Sequence, residues 1–193
     1  MSSAQNFEIP VFSGLGDALF DAGTQAIEDM IDRLPSLAEA DHWRWWQWED
    51  VTDAILARAR RYGPPTVITV GHSMGVDAMI KMAWRLNTHG IKVAYAAYID
   101  PTAGREMRQP PNVEKAQEFW SDPNWFGRLF NAPYRARTGD SSGKRGGKVI
   151  YPPGWDGAPP ILIPNSSHVG CASDPITRIT IRRAVEEILG GEQ

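Results

Sequence analysis

Thr66-Val67-Ile68-Thr69-Val70-Gly71-His72-Ser73-Met74-Gly75 is the stretch on which the reading of the fold turns. Its first five residues are all β-branched, which suits a strand buried on both faces of a parallel sheet. From Met74 onward the pattern changes. Met79, Ile80, Met82, Ala83 and Leu86 offer a packing face and predict a helix over 74–87, with a stop between Asn87 and Gly90. Between strand and helix lies Gly71-x-Ser73-x-Gly75. So abrupt a passage needs a sharp turn that strains the serine and exposes its hydroxyl, and small residues on either side let neighbouring backbones approach. Such a pattern arises by chance in about one chain in fifteen of this length. The strand before it and the helix after it make Ser73 a candidate nucleophile.

Working outward, strands and helices alternate. Residues 7–12 form a short β-rich run ended by Ser13-Gly14-Leu15-Gly16, and 17–34 carries Leu19, Ala22, Ala26, Ile27, Met30, Ile31 and Leu34 at helical spacing before Pro35. His42-Trp43-Arg44-Trp45-Trp46-Gln47-Trp48 reads as an aromatic strand, and 51–60 as a short helix broken by Gly63-Pro64-Pro65. Strands are expected at 92–99, 148–151 and 161–163, and a final helix at 175–189. The class is therefore α/β: a three-layer sandwich around a small, mostly parallel sheet. In such sheets a ligand site lies beyond the carboxyl ends of the strands. Gly14, Ser73, Asp100 and the residues after Ile163 fall there.

With 193 residues, 42% of them apolar, the chain suits one domain with a sizeable core. A net charge of −3 leaves no electrostatic footprint for nucleic acid. One cysteine, Cys171, excludes an internal disulfide and a cysteine-rich metal site. No signal-like start and no run of about 18–20 apolar residues is found, so the expectation is a soluble cytoplasmic protein. Nine of the fifteen prolines fall between Pro101 and Pro160. That bias marks an irregular stretch within the domain, expected at about 105–147 as a lid or insertion over the site. In it, Phe119, Trp120, Trp125 and Phe126 suit short amphipathic helices, with Trp120, Trp125 and Phe126 as candidate substrate contacts. From 105 to 148 there are nine basic residues against five acidic, which would suit an acyl ester bearing a negative group and equally a solvated surface. The tryptophans of 43–48 read first as core or helix-contact residues.

A serine nucleophile needs a base and an acid that orients it. Of four histidines, His72 lies inside the motif and reads as structural, His89 sits at a helix end, and His42 precedes the serine. Only His168, in Pro164-Asn165-Ser166-Ser167-His168, follows the serine with room for an acid between. Asp100 ends the strand after the serine's own strand–helix unit and is favoured over Asp156 on that placement. Two main-chain N–H groups are expected to face a developing oxyanion: that of Met74, and one from Gly14–Leu15.

Taken in order, the strand and Gly-x-Gly opening, the Gly71-His72-Ser73-Met74-Gly75 turn, Ile99-Asp100-Pro101 and the late Ser167-His168 resemble the α/β-hydrolase superfamily, specifically small lipase- and esterase-like members of bacteria and their viruses. Ile99-Asp100-Pro101-Thr102, then Pro111-Asn112-Val113 and Phe119, is similar to a segment whose aspartate serves as the triad acid in small hydrolases. Against that pattern, the chain starts at what would be the third strand, and Ser13 stands where a His-Gly pair would have histidine. The resemblance implies a serine hydrolase cleaving a carboxylic ester through an acyl-enzyme, without cofactor or metal. Thioester hydrolysis or acyl transfer would use the same residues, and a binding module that keeps the fold without turnover is the alternative from another class.

Overall fold

The β-branched run is a strand, third of six in a wholly parallel sheet. The computed structural model describes residues 6–14, 22–34, 39–101, 107–122, 149–155 and 157–190. In chain order the elements are β1 (Phe7–Ser13), α1 (Ala22–Asp32), β2 (Ala40–Arg44), α2 (Trp48–Tyr62), β3 (Thr66–His72), α3 (Met74–Asn87) and β4 (Val93–Ile99). Then follow β5 (Met107–Arg108), β6 (Ala116–Asp122), β7 (Val149–Ile150), β8 (Ile161–Pro164), α4 (Gly170–Ser173) and α5 (Pro175–Gly190). The main sheet runs β2-β1-β3-β4-β6-β8.

Alternation along the strands feeds two apolar layers. Phe12, Val67 and Tyr98 meet Val51 and Ile55 of α2 and Met79 and Met82 of α3 on one face. Val11, Val70, Ile99 and Phe119 meet Ile27 and Ile31 of α1 and Ile181 and Val185 of α5 on the other. Each such side chain, fully buried, contributes about 1.5–3 kcal/mol by removal from water. This is the three-layer α/β arrangement expected, and parallel pairing sends all six strand ends to one edge. Among the described residues, no helix is long and apolar enough to cross a membrane.

Three expectations need correction. The aromatic strand ends at Arg44, because the Gln47 side chain accepts the Arg44 N–H at 3.0 Å and Trp45–Gln47 curls into a 3-10 turn. Trp43, Trp45 and Trp48 are partly buried against the α2–α3 layer, while Trp46 is exposed. The 148–151 strand is outside the main sheet; β7 pairs instead with β5 in a two-stranded side sheet. And the stretch 105–147 is not all cover. Its residues Ala116–Asp122 are β6, inserted between β4 and β8, so Phe119 and Trp120 lie on a strand rather than a helix. Gln117 and Glu118 are polar, yet both are buried on this strand. The Gln117 amide donates to the Pro159 carbonyl at 2.9 Å, a partner 42 residues away. The remainder of the expected cover, from 123 on, lies outside the described residues.

Candidate active site

Five of the six strand ends at the carboxyl edge, those of β1, β3, β4, β6 and β8, carry the residues of the site. β3 passes into α3 through Ser73 alone, which is held at φ 57° and ψ −120°. For a residue with a Cβ this costs about 1–3 kcal/mol, and the surroundings must impose it. They do so by close approach. A Cβ on Gly75 would stand 2.3 Å from the Phe12 carbonyl oxygen, and one on Gly71 would stand 2.6 Å from the Gly75 carbonyl oxygen. The Ser73 N–H donates to the Ile99 carbonyl at 2.9 Å, pinning the turn to β4. Gly14, just past β1, lies against the serine: a Cβ there would be 2.7 Å from Ser73 Cβ and 3.2 Å from its Oγ. Met74 opens α3, where the first N–H groups have no intrahelical acceptor.

Asp100 follows β4 at φ 42°, with its N–H donating to the Phe119 carbonyl at 2.8 Å. Its carboxylate is almost enclosed and fully engaged. Oδ2 accepts the Ser121 hydroxyl at 2.6 Å and His168 Nδ1 at 2.7 Å, and Oδ1 accepts the Ser121 N–H at 3.3 Å. A carboxylate only accepts, so the His168 proton sits on Nδ1 and Nε2 is left as the basic nitrogen. His168 reaches this place on a short loop after β8. Asn165 turns the chain at φ 56°, and the Ser167 hydroxyl accepts the Gly170 N–H at 3.0 Å.

His72 is packed beneath. Its Nε2 donates to the His168 carbonyl at 2.9 Å, and the two imidazole centroids are 4.8 Å apart with planes tilted by 31°. Burial pushes its pKa down to about 4; the neighbouring His168 acts in the same direction, and the His168 carbonyl and Asp100 oppose it. Cys171, one turn beyond His168, is wholly buried, and that burial pushes its thiol well above the ordinary range.

Ser73, Asp100, His168, Gly14 and Met74 thus stand at one end of the sheet. Trp120 is on β6, one residue before Ser121 and beside Leu162 of β8. Leu15, Trp125, Phe126 and Asp156 lie outside the described residues. His42 is engaged elsewhere, with Nε2 3.0 Å from Thr24 Oγ1, and Asp77 pairs with Lys81 at 2.6 Å on α3. Ser121 was not anticipated. Its only signal is position, directly after the Phe119-Trp120 pair, and that becomes readable once 116–122 is known to be a strand. Among the described residues no cluster of His, Cys, Asp and Glu is arranged to hold a metal ion.

No family model matches the chain, and no curated protein matches it in sequence. Solved structures match its architecture. A protein of unknown function from Agrobacterium tumefaciens is 15% identical, with 97% of this chain and 93% of that one aligned and a TM-score of 0.51. A cutinase-like protein from Cryptococcus sp. is 11% identical, with 100% and 98% aligned and a TM-score of 0.51. The chain has the α/β-hydrolase fold. In this α/β-hydrolase fold the tight β3–α3 turn, the end of β4 and the loop after β8 carry the three polar side chains described above.

Proposed function

We propose that the protein is a serine hydrolase that cleaves carboxylic esters through an acyl-enzyme. The observation that carries this reading is the Asp100–His168 pair, 2.7 Å apart, at the same sheet edge as a serine held in a strained strand-to-helix turn. Strain of that kind has no packing benefit of its own and accords with a hydroxyl held out for chemistry.

In this scheme Ser73 Oγ adds to the ester carbonyl carbon while His168 Nε2 takes the hydroxyl proton. Asp100, itself fixed by Ser121, keeps the imidazole in the required tautomer and stabilises its charged form. The Met74 N–H and the backbone of Gly14–Leu15 receive the oxyanion. Collapse expels the alcohol, which takes the proton from His168. Water then repeats the sequence on the acyl-enzyme, returning Ser73 and releasing the acid. Trp120, with Leu162 beside it half-exposed, is the described part of an apolar wall for the acyl chain.

Labelling with a fluorophosphonate tests the reading. Ser73 would displace fluoride from phosphorus, giving one adduct in the intact mass. Ser73→Ala should take no label, and His168→Ala and Asp100→Asn should react on the order of a thousandfold more slowly. A folded wild-type protein that takes no label and hydrolyses no ester would leave a non-catalytic binding role in its place.

A further inference from the structure

His72 sits between Gly71 and Ser73 and takes no part in the chemistry proposed above. Its side chain is 3% exposed, so an unsatisfied ring nitrogen would be costly there. The ring spends its one N–H on a single acceptor, the His168 carbonyl at 2.9 Å. A carbonyl only accepts, which fixes the proton on Nε2. His168 is then held twice, its main chain by His72 and its ring by Asp100. The 4.8 Å ring contact adds a surface on which the His168 imidazole rests. Because His72 directly precedes the strained serine, one side chain joins the Ser73 turn to the loop after β8.

We infer that His72 is a positioning residue, tethering the main chain of His168 to the Ser73 turn so that base and nucleophile keep their relative place through turnover. The inference rests on the reading of His168 as the base. The Nε2–H bond persists in either charge state of the ring, but a neutral ring suits the proton transfer better. His168 becomes cationic during proton transfer, and a second cation at this separation, which among the described residues only Asp100 would offset, would oppose it.

Two measurements test this. The chain has four histidines, so imidazole 15N labelling gives a readable spectrum. His72 should show the neutral, Nε2-protonated form from pH 8 down to about 5. A neutral ring carrying its proton on Nδ1 in place of Nε2 would overturn the tether, and this result does not depend on ester turnover. The second measurement is kinetic, on a p-nitrophenyl ester. His72→Phe fills the space without a donor and should lower kcat by about 10- to 100-fold, with KM within about twofold. His72→Gln, which keeps an N–H at similar reach, should recover most of that loss. Equal losses in the two variants, or wild-type kcat in His72→Phe, would overturn the inference. If His72→Phe does not fold, the glutamine variant and the spectrum still decide. A wild type without esterase activity would defeat the proposed function instead, and the spectrum alone would judge the tether.

Discussion

Acid should destabilise this fold through one ring. A free imidazole titrates near 6.5, whereas burial takes His72 down to about 4. Between those values the unfolded chain binds a proton that the folded chain refuses, so stability falls as pH falls through that window and is fully present above it. The gap corresponds to about 3 kcal/mol. Protonation leaves the Nε2–H bond to His168 intact, so the loss comes from burying charge beside His168, which Asp100 only partly offsets. The perturbation is His72→Phe, which cannot titrate. Urea unfolding of both proteins at pH 7.5 and pH 4 separates this ring from groups common to both, Asp100 and His168 among them. The stability of wild type relative to the variant should drop by about 3 kcal/mol across that range. For a chain of this size the corresponding change in relative melting temperature is about 6–12 °C. A relative stability that stays constant within about 1 kcal/mol would refute the reasoning.

Other expectations follow from the same geometry. Ser121→Ala removes the 2.6 Å hydroxyl bond to Asp100 Oδ2, a charge-assisted bond worth about 1.5–3 kcal/mol, and should lower the melting temperature by about 3–12 °C and slow ester turnover by about tenfold or more. Gly75→Ala sets a methyl against the main chain of Phe12 and should cost at least about 2 kcal/mol in urea unfolding, whereas Gly190→Ala, with open space around it, should be neutral or slightly stabilising. Cys171 should resist Ellman's reagent at pH 8 in the native protein and react stoichiometrically once unfolded, because it is 0% exposed and its thiol is held protonated.

What was legible in the sequence was what local chemistry dictates. The β-branched run, the two close glycines and the helical spacing after them all express short-range sterics, and the 74–87 helix falls where its pattern puts it. Asp100 and His168 stand out because strand ends in a parallel sheet share an edge, and the structure brings their side chains into contact. Failures occurred where distant partners satisfy polar groups. The segment holding Gln117 and Glu118 reads as part of the cover, since nothing nearby announces the Pro159 carbonyl or the neighbouring strands that bury them. With β6 unrecognised, Ser121 had no address. The Trp45–Gln47 turn was hidden for a related reason: alternating aromatics mimic a strand, and one side-chain bond from Gln47 ends it.

The place of β8 has a consequence for the order in which function and fold fail. It is a four-residue strand at the margin of the sheet, laddered among the described residues to β6 alone, and Leu162 on it is half in water. Marginal strands detach at lower free energy than the body of a protein. When this one lifts, it carries off the loop that bears His168, leaving the β1–β3–β4 centre and its two apolar layers intact. In rising urea, esterase activity should therefore disappear before the tryptophan and circular-dichroism signals do. Adding substrate, which engages only the closed ladder, should draw the two transitions together.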